Sequence, residues 1–312
     1  MVRPLACRSC GGGDLVDIGA CPAPPPELGS GDPGRLYRCK VCALGQRHPI
    51  PDADAIAAMY SDASPDEMAY AYDENAAWSK SREFLLARFG EKPDVKVLDI
   101  GCHTGAFLAG LPVSWARHGI ESAREPTRVA TEQHGITVIA GRIEDVADTW
   151  AGTFDAVSMF DVIEHLPDPG VGIAAAARLL KPGGVLLVSS ADFDAWTFGW
   201  LGSEHWYLQT PQHLSVVSHS YLKRMANKQG LDVKRTHSIP HRHASLPVRI
   251  AECVQAIYWG MRRRRGAWRL PHRILQSFPG FRSLRHLQSV PWTMALEDHS
   301  LFVMTRNLES LT

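Results

Sequence analysis

Residues 95–108 read VKVLDIGCHTGAFL. A near-continuous apolar run ends in Asp99, Gly101 and Gly105 bracket a short turn, and small apolar residues resume. Such runs are strands buried on both faces of a sheet. A parallel strand, a glycine turn and a helix N-terminus together form a ligand cradle beyond the C-terminal end of the strand. The spacing D-I-G-C-H-T-G is not the G-x-G-x-x-G of dinucleotide sites, and a lone glycine pattern is weak evidence. Asp99 discriminates better. An acid beside the loop repels a pyrophosphate and attracts an ammonium, which favours a cationic amino-acid cofactor over a dinucleotide.

On either side of this turn, strands and helices alternate. SWARHGIE, ITVIAG, FDAVSMF, GVLLVSS, LDVKRTHS and SLFVMTR are further strand candidates. EPTRVATEQHG, GVGIAAAARLLKPGG and YLKRMANKQG read as helices between them, the second stopping at Lys181-Pro182-Gly183-Gly184. This alternation predicts an α/β fold, a mostly parallel sheet with helices on both faces. Residues 52–90 read as helical, and SKSREFLLARFG ends in Gly90.

The 312 residues suffice for one large domain with additions, or for two domains. Apolar content of 45% is normal for a sizeable core. With 33 basic and 33 acidic residues, no global field points to nucleic acid or membrane. No apolar run is long enough for a transmembrane helix, and MVRPLACRSC lacks a signal peptide's apolar core, so a cytoplasmic location is expected. In a reducing compartment, paired cysteines are metal ligands rather than disulfides. Cys7 and Cys10 (CRSC) with Cys39 and Cys42 (CKVC) predict a four-thiolate zinc site. The Pro/Gly-rich loop CPAPPPELGSGDPG lengthens the spacer, and Cys21 within it is a loop residue or a substitute ligand.

Charge is unevenly spread. From Arg242 to Arg285 there are ten arginines, no lysine and one acid, Glu252. Such a run is a solvated face, or a docking surface for a diphosphate, a nucleic-acid backbone or anionic lipid. AECVQAIYWGMRRRR also fits an amphipathic helix on a membrane surface.

With these segments in order, the chain resembles a class I S-adenosylmethionine-dependent methyltransferase over about residues 80–240. VLDIGCHTGAFL resembles that family's first motif, GIESA its second, AGRIEDV the region near the adenine, and FDAVSMFDVIEHLPDP with LLKPGGVLLVSS its fourth and fifth. The resemblance implies a Rossmann-like seven-stranded sheet. It also implies that Asp99, Gly101 and Gly105 line the methionine part of the cofactor, with Cys102 and His103 in the same turn. Glu121, beside Ser122, would accept both ribose hydroxyls, Arg142 and Ile143 would border the adenine, and Phe160 and Asp161 would also belong to the cofactor site. His103 stands where glycine is common. Histidine tolerates positive φ better than most residues, and its ring faces either solvent or the cofactor.

Methyl transfer from a sulfonium needs in-line alignment and often removal of a proton. A histidine suits the proton step. His213, in PQHL, is the first candidate base; His165 in DVIEHL and His205 compete, with Tyr207 beside the latter. Asp161, Glu164 and His165 fall at i, i+3 and i+4, one face of a helical turn. In some branches of the family a related pattern holds a divalent metal that grips the acceptor. The aromatics Phe193, Trp196, Phe198, Trp200, Trp206 and Tyr207 either pack a lid or offer a sugar face. Tyr60, Tyr70 and Tyr72 are placed to reach the same cleft. The lack of an N-P-P-Y or D-P-P-Y motif weakens the case for methylating a base amine.

The expected organisation is a zinc-binding module at 1–50, a helical cap at 51–94, the cofactor-binding core at 95–240, a basic helical insertion at 241–292 and the last strand at 293–312. The expected reaction is C- or O-methylation of a sugar, nucleotide-sugar or related small metabolite. A zinc-containing RNA methyltransferase is the alternative.

Overall fold

A computed structural model describes residues 5–24, 32–51, 56, 75–90, 92–139, 141–264, 274, 284, 287 and 289–308. The described strands are β1 (Leu15–Ala20), β2 (Arg35–Cys39), β3 (Gly45–His48), β4 (Lys96–Ile100), β5 (Ala116–Ile120), β6 (Thr137–Ile139), β7 (Phe154–Phe160), β8 (Leu180–Ala191), β9 (Ser215–Val216), β10 (Leu231–Ile239) and β11 (His299–Arg306). The helices are α1 (Ala76–Phe89), α2 (Ala106–Ala109), α3 (Arg124–His134), α4 (Ile143–Val146), α5 (Pro169–Leu179), α6 (Trp196–Leu201), α7 (His219–Lys228) and α8 (Leu246–Arg263).

Seven strands form the main sheet in the order β10-β11-β8-β7-β4-β5-β6. β11 alone runs antiparallel to its neighbours β8 and β10. Every strand expected from the apolar runs is present. Val97, Leu98, Val157, Leu186 and Val188 are fully buried, each contributing on the order of 1.5–3 kcal/mol by leaving water. Local signals end the helices. Asn75 caps α1 by accepting from Ala77 and Trp78 N–H, and Gly90 ends it at φ 58°. Asp168 caps α5 and Ser218 caps α7. Crossovers leave β4 toward β5 on one side and return to β7 on the other. That reversal opens a crevice at the C-terminal ends of β4 and β7.

Two expectations need correction. The α5 helix stops at Leu179, and Lys181–Gly184 belong to β8. Pairing slips between Phe154↔Leu180 and Ala156↔Val185, so these residues form an irregular strand entry with Gly183 at φ 74°. Glu164 and His165 lie on a 3₁₀ turn, Ile163–His165, and Asp161 precedes it in the left-handed region at φ 52°. The three do not share one helical face.

The N-terminal segment is stitched into the rest. β3 pairs with β9, extending the β1-β2-β3 sheet with a strand from beyond β8. Arg8 donates to the carbonyls of Pro167, Arg47 and Leu214. Of the expected cap, residues 51, 56, 75–90 and 92–94 are described; Tyr60, Tyr70 and Tyr72 lie outside the described residues. So do Arg265, Arg269, Arg273, Arg282 and Arg285 of the basic insertion. The arginines at the end of α8 are engaged locally: Arg262 with Leu287 O, Arg263 with Ile18 O, and Arg264 with Gly199 O and the Trp200 ring.

Candidate active site

The turn after β4 is built on three left-handed residues, Gly101 (φ 69°), His103 (φ 47°) and Gly105 (φ 76°). At Gly101 a Cβ would meet Val162 Cγ2 at 2.5 Å, so the close approach of the β7 exit requires glycine. Cys102 turns its thiol inward: Gly119 passes so near that a Cβ there would lie 2.3 Å from Cys102 Sγ. The Cys102 side chain is 5% exposed, so any contact that Cys102 makes across the turn falls to its backbone.

Asp99 is buried and accepts from Ser158 Oγ at 2.7 Å. Burial raises its pKa to about 7, against the lowering effect of that bond. Glu121 ends β5. Its Oε1 accepts from Ser122 and Ala123 N–H, each at 2.8 Å, and its Oε2 from His103 N–H at 2.9 Å. The carboxylate thus pins the glycine turn while keeping acceptor capacity at a partly exposed edge. His103 does not turn its ring wholly to solvent, because Nε2 is buried and has no hydrogen-bond partner. Arg142 caps α4 and is exposed, Ile143 behind it is buried, and Ser122 is exposed. Phe160 packs edge-on against Phe107, 4.7 Å between centroids.

Beyond β7 lies a cluster of histidines and carboxylates. Glu164, fully buried, accepts from Tyr207 O–H and from Ser190 O–H. The Nδ1 of His165 faces Gln212 O at 3.1 Å, and that of His213 faces Tyr207 O at 2.7 Å. A carbonyl only accepts, so each Nδ1 carries the proton and each Nε2 presents a lone pair. The two rings are 4.9 Å apart. Burial, then the neighbouring His165, holds His213 well below the ordinary histidine range, and burial lowers His165 too. Both are neutral at pH 7. Glu164, His165 and His213 each offer a donor atom within 4.8 Å of the others.

Two expected catalytic groups are placed otherwise. His205 is fully buried; Nε2 engages Thr197 and Asp298, Nδ1 accepts from Tyr207 N–H, and the ring stacks on Phe198 at 3.8 Å. With both nitrogens committed, it is a strut and not a base. Tyr207, 1% exposed, bonds Glu164 and stacks on His213 at 3.9 Å, so it positions these groups from behind. Phe193, Phe198, Trp206 and Tyr207 pack one buried cluster, whereas Trp196 is 47% exposed.

Three residues escaped the sequence reading. His299 and Asp298 open β11, and His241 follows β10, at the same edge of the sheet. A reversed strand starts where its parallel neighbours end, and the polar pair Asp298-His299 before SLFVMTR was the available signal. Asp298 is buried and accepts from His299 Nδ1 (2.7 Å), Trp206 Nε1 (3.0 Å) and His205 Nε2 (3.2 Å). Burial alone would raise its pKa, but the bonds from His205 and His299 hold it far below the usual range.

The N-terminal segment braces this site. Arg47 of β3, 4% exposed, donates to Pro33, Leu208, Thr210 and His213 carbonyls at 2.7–3.2 Å. At its far end, Cys7–Cys42 and Cys10–Cys39 sulfurs are 3.5 and 3.6 Å apart, and all four lie within 4.8 Å of one another. Tetrahedral zinc with bonds of about 2.3 Å separates sulfurs by about 3.8 Å, so the four thiols fit that ion. Cys21 is buried elsewhere, outside this group.

A methyltransferase-domain family model matches residues 70–236, more than half of the chain. The ubiquinone biosynthesis O-methyltransferase of Methylococcus capsulatus is 32% identical over 150 residues, 44% of this chain and 63% of that protein. Its namesake from Xanthomonas axonopodis pv. citri is 35% identical over 156 residues, 47% and 57% of the two chains. The chain thus spans less than two thirds of these relatives. A chain from the complex between the Haloferax volcanii Trm112 methyltransferase activator and a methyltransferase superposes with TM-score 0.51 at 18% identity, covering 83% of this chain and 99% of that one; this likeness concerns the fold alone. With the strand order, the turn and the family match agreeing, the chain belongs to the class I S-adenosylmethionine-dependent methyltransferases.

Proposed function

We propose that the protein transfers a methyl group from S-adenosylmethionine to an oxygen of a small-molecule acceptor. The observation that carries this reading is the shared sheet edge: the Glu121-pinned glycine turn and two neutral histidines with lone pairs on Nε2 flank the ends of β4 and β7. Gly101, Gly105 and Asp99 would hold the methionine part, Glu121 a ribose hydroxyl, and Arg142 with Ile143 the adenine. The bound cofactor supplies an electrophilic methyl group. His213 Nε2, or His165 Nε2, takes the proton from the acceptor hydroxyl as the new bond forms. Tyr207 O fixes the His213 tautomer, and the aromatic wall of Phe198, Trp206 and Tyr207 excludes water.

For the acceptor, the named relatives support a precursor in quinone biosynthesis over the sugar or nucleotide-sugar expected from sequence, and lend nothing to an RNA substrate. The buried state of four of the six lid aromatics also leaves less ring surface for a sugar. We assign structural zinc to the four cysteines and a cytoplasmic setting to the enzyme; among the described residues no helix is long and apolar enough to cross a membrane.

Calorimetry with S-adenosylhomocysteine tests the cofactor site, and absence of binding removes the proposal. Tritium transfer from labelled cofactor is then measured on hydroxylated quinone precursors, nucleotide sugars and RNA. Label on the first group alone is expected. Label on RNA alone would overturn the reading. Chelation that strips one zinc per chain should lower the melting temperature; an unchanged melt would remove the zinc assignment.

A further inference from the structure

We infer that Asp161, His241 and His299 form a binding site for a divalent first-row transition-metal ion, apart from the four cysteines. Each offers one donor atom, and the three atoms lie within 4.8 Å of one another. Asp161 Oδ2 and His241 Nδ1 are 3.9 Å apart. Metal bonds of about 2.1 Å span donors up to about 4.2 Å apart. Closure around an ion therefore needs movements of about half an ångström.

Two buried atoms point to a missing partner. Asp161 leaves β7 at φ 52°, a conformation costly for a residue with a side chain, and its Oδ1 is buried with no hydrogen-bond partner. His299, 2% exposed, gives its Nδ1–H to Asp298 Oδ1 at 2.7 Å. That is the carboxylate–histidine pairing that orients a metal-binding ring and strengthens its other nitrogen. The other nitrogen, Nε2, is also buried without a partner. Buried polar atoms are nearly always satisfied, and one ion answers both orphans.

The neighbouring trio Glu164, His165 and His213 meets the same distance criterion but lacks this signature. Both Glu164 oxygens already accept hydrogen bonds, from Tyr207 and Ser190. Two imidazoles and one carboxylate suit iron, manganese, cobalt, nickel or zinc better than magnesium or calcium, which prefer oxygen alone. Three protein ligands leave open positions, one of which an acceptor oxygen can take and thereby lose its proton more readily. That role rests on the proposed O-methylation; the binding of the ion does not.

The test titrates the 312-residue chain, supplied with zinc for its cysteines, with Co2+ in the absence of cofactor. One cobalt per chain is expected, with visible d–d absorption and without the near-ultraviolet thiolate band that would mark exchange at cysteine. Asp161→Asn and His299→Gln should each weaken binding at least tenfold. His299 is deeply buried, so His241→Ala, at a partly buried position, provides the same test with less risk to the fold; circular dichroism confirms folding. His213→Gln should leave the affinity within threefold. Absence of the visible band at millimolar Co2+ would overturn the site. So would loss of the band in His213→Gln with retention in Asp161→Asn and His241→Ala. Cobalt binding as described, without methyl transfer to any acceptor, supports this site and refutes only the proposed reaction.

Discussion

Replacing Arg47 tests whether the cysteine-bearing segment organises the candidate catalytic loop. Its guanidinium reaches four carbonyls, three of them on the 208–213 loop that carries His213. A hydrogen bond from a charged donor contributes about 1.5–3 kcal/mol, so four set a ceiling of roughly 6–12 kcal/mol. Burial opposes this: the side chain is 4% exposed, no carboxylate pairs with it among its bonded groups, and burial lowers its pKa. Desolvation of such a charge costs several kcal/mol. A net loss of about 3–5 kcal/mol in Arg47→Ala follows, or roughly 6–20 °C in melting temperature at about 2–4 °C per kcal/mol. Arg47→Lys keeps the charge but reaches fewer carbonyls, and should recover less than half. Because the bonds hold the His213 loop and not the glycine turn, turnover should fall at least tenfold while affinity for S-adenosylhomocysteine stays within threefold. Differential scanning fluorimetry, calorimetry and single-turnover methyl transfer measure the three quantities. Wild-type melting and turnover in Arg47→Ala would refute the coupling, as would a loss of cofactor affinity equal to the loss of turnover.

Other substitutions probe the turn and its surroundings. Glu121→Gln places an amide N–H against either His103 N–H or the Ser122 and Ala123 pair, so affinity for S-adenosylhomocysteine should drop about 10–100-fold, as a lost charge-assisted bond predicts; calorimetry within twofold of wild type would contradict the assignment. Gly119→Ala forces a Cβ to 2.3 Å from Cys102 Sγ and should destabilise by about 1–3 kcal/mol, with partial rescue by Cys102→Ala in a double-mutant cycle; strict additivity would show that the two do not press together. Asp99 is raised from 3.8 to about 7 on folding, so the native state binds the extra proton between those values. Stability from this group is therefore full below about 4 and lost as pH rises through about 7. The melting difference between Asp99→Asn and wild type should grow across that window in favour of the variant, and a difference independent of pH would show that Asp99 ionises freely.

Much of the fold was legible in order along the chain. The central strands β4, β7 and β8 hold near-continuous apolar runs, and such runs have few alternatives to a buried sheet; the more polar β5 and β10 were legible from their place in the alternation of strands and helices. Each CxxC pair and the D-I-G-C-H-T-G turn were legible because their members are neighbours in sequence; the meeting of Cys7 with Cys42 and of Cys10 with Cys39 is a tertiary contact. The helix stop at Lys181–Gly184 was misplaced because Gly and Pro mark a strand irregularity as readily as a helix end. The helical reading of Asp161, Glu164 and His165 failed because Asp161 leaves its strand in a left-handed conformation that no spacing rule anticipates. His205 looked like a base because residue type says nothing of burial, and here both ring nitrogens are consumed by Thr197, Asp298 and a backbone N–H.

The sheet class, the glycine turn after β4 and the two CxxC knuckles could therefore be read from residues that lie close along the chain. Tertiary structure decided which histidines meet. The insertion of reversed β11 between β8 and β10 brings Asp298 and His299 to the edge where β7 ends, and the docking of β3 on β9 lets Arg47 grip the His213 loop. Those encounters depend on strand order and on register, which are settled by packing among distant segments against the entropy of closing long loops.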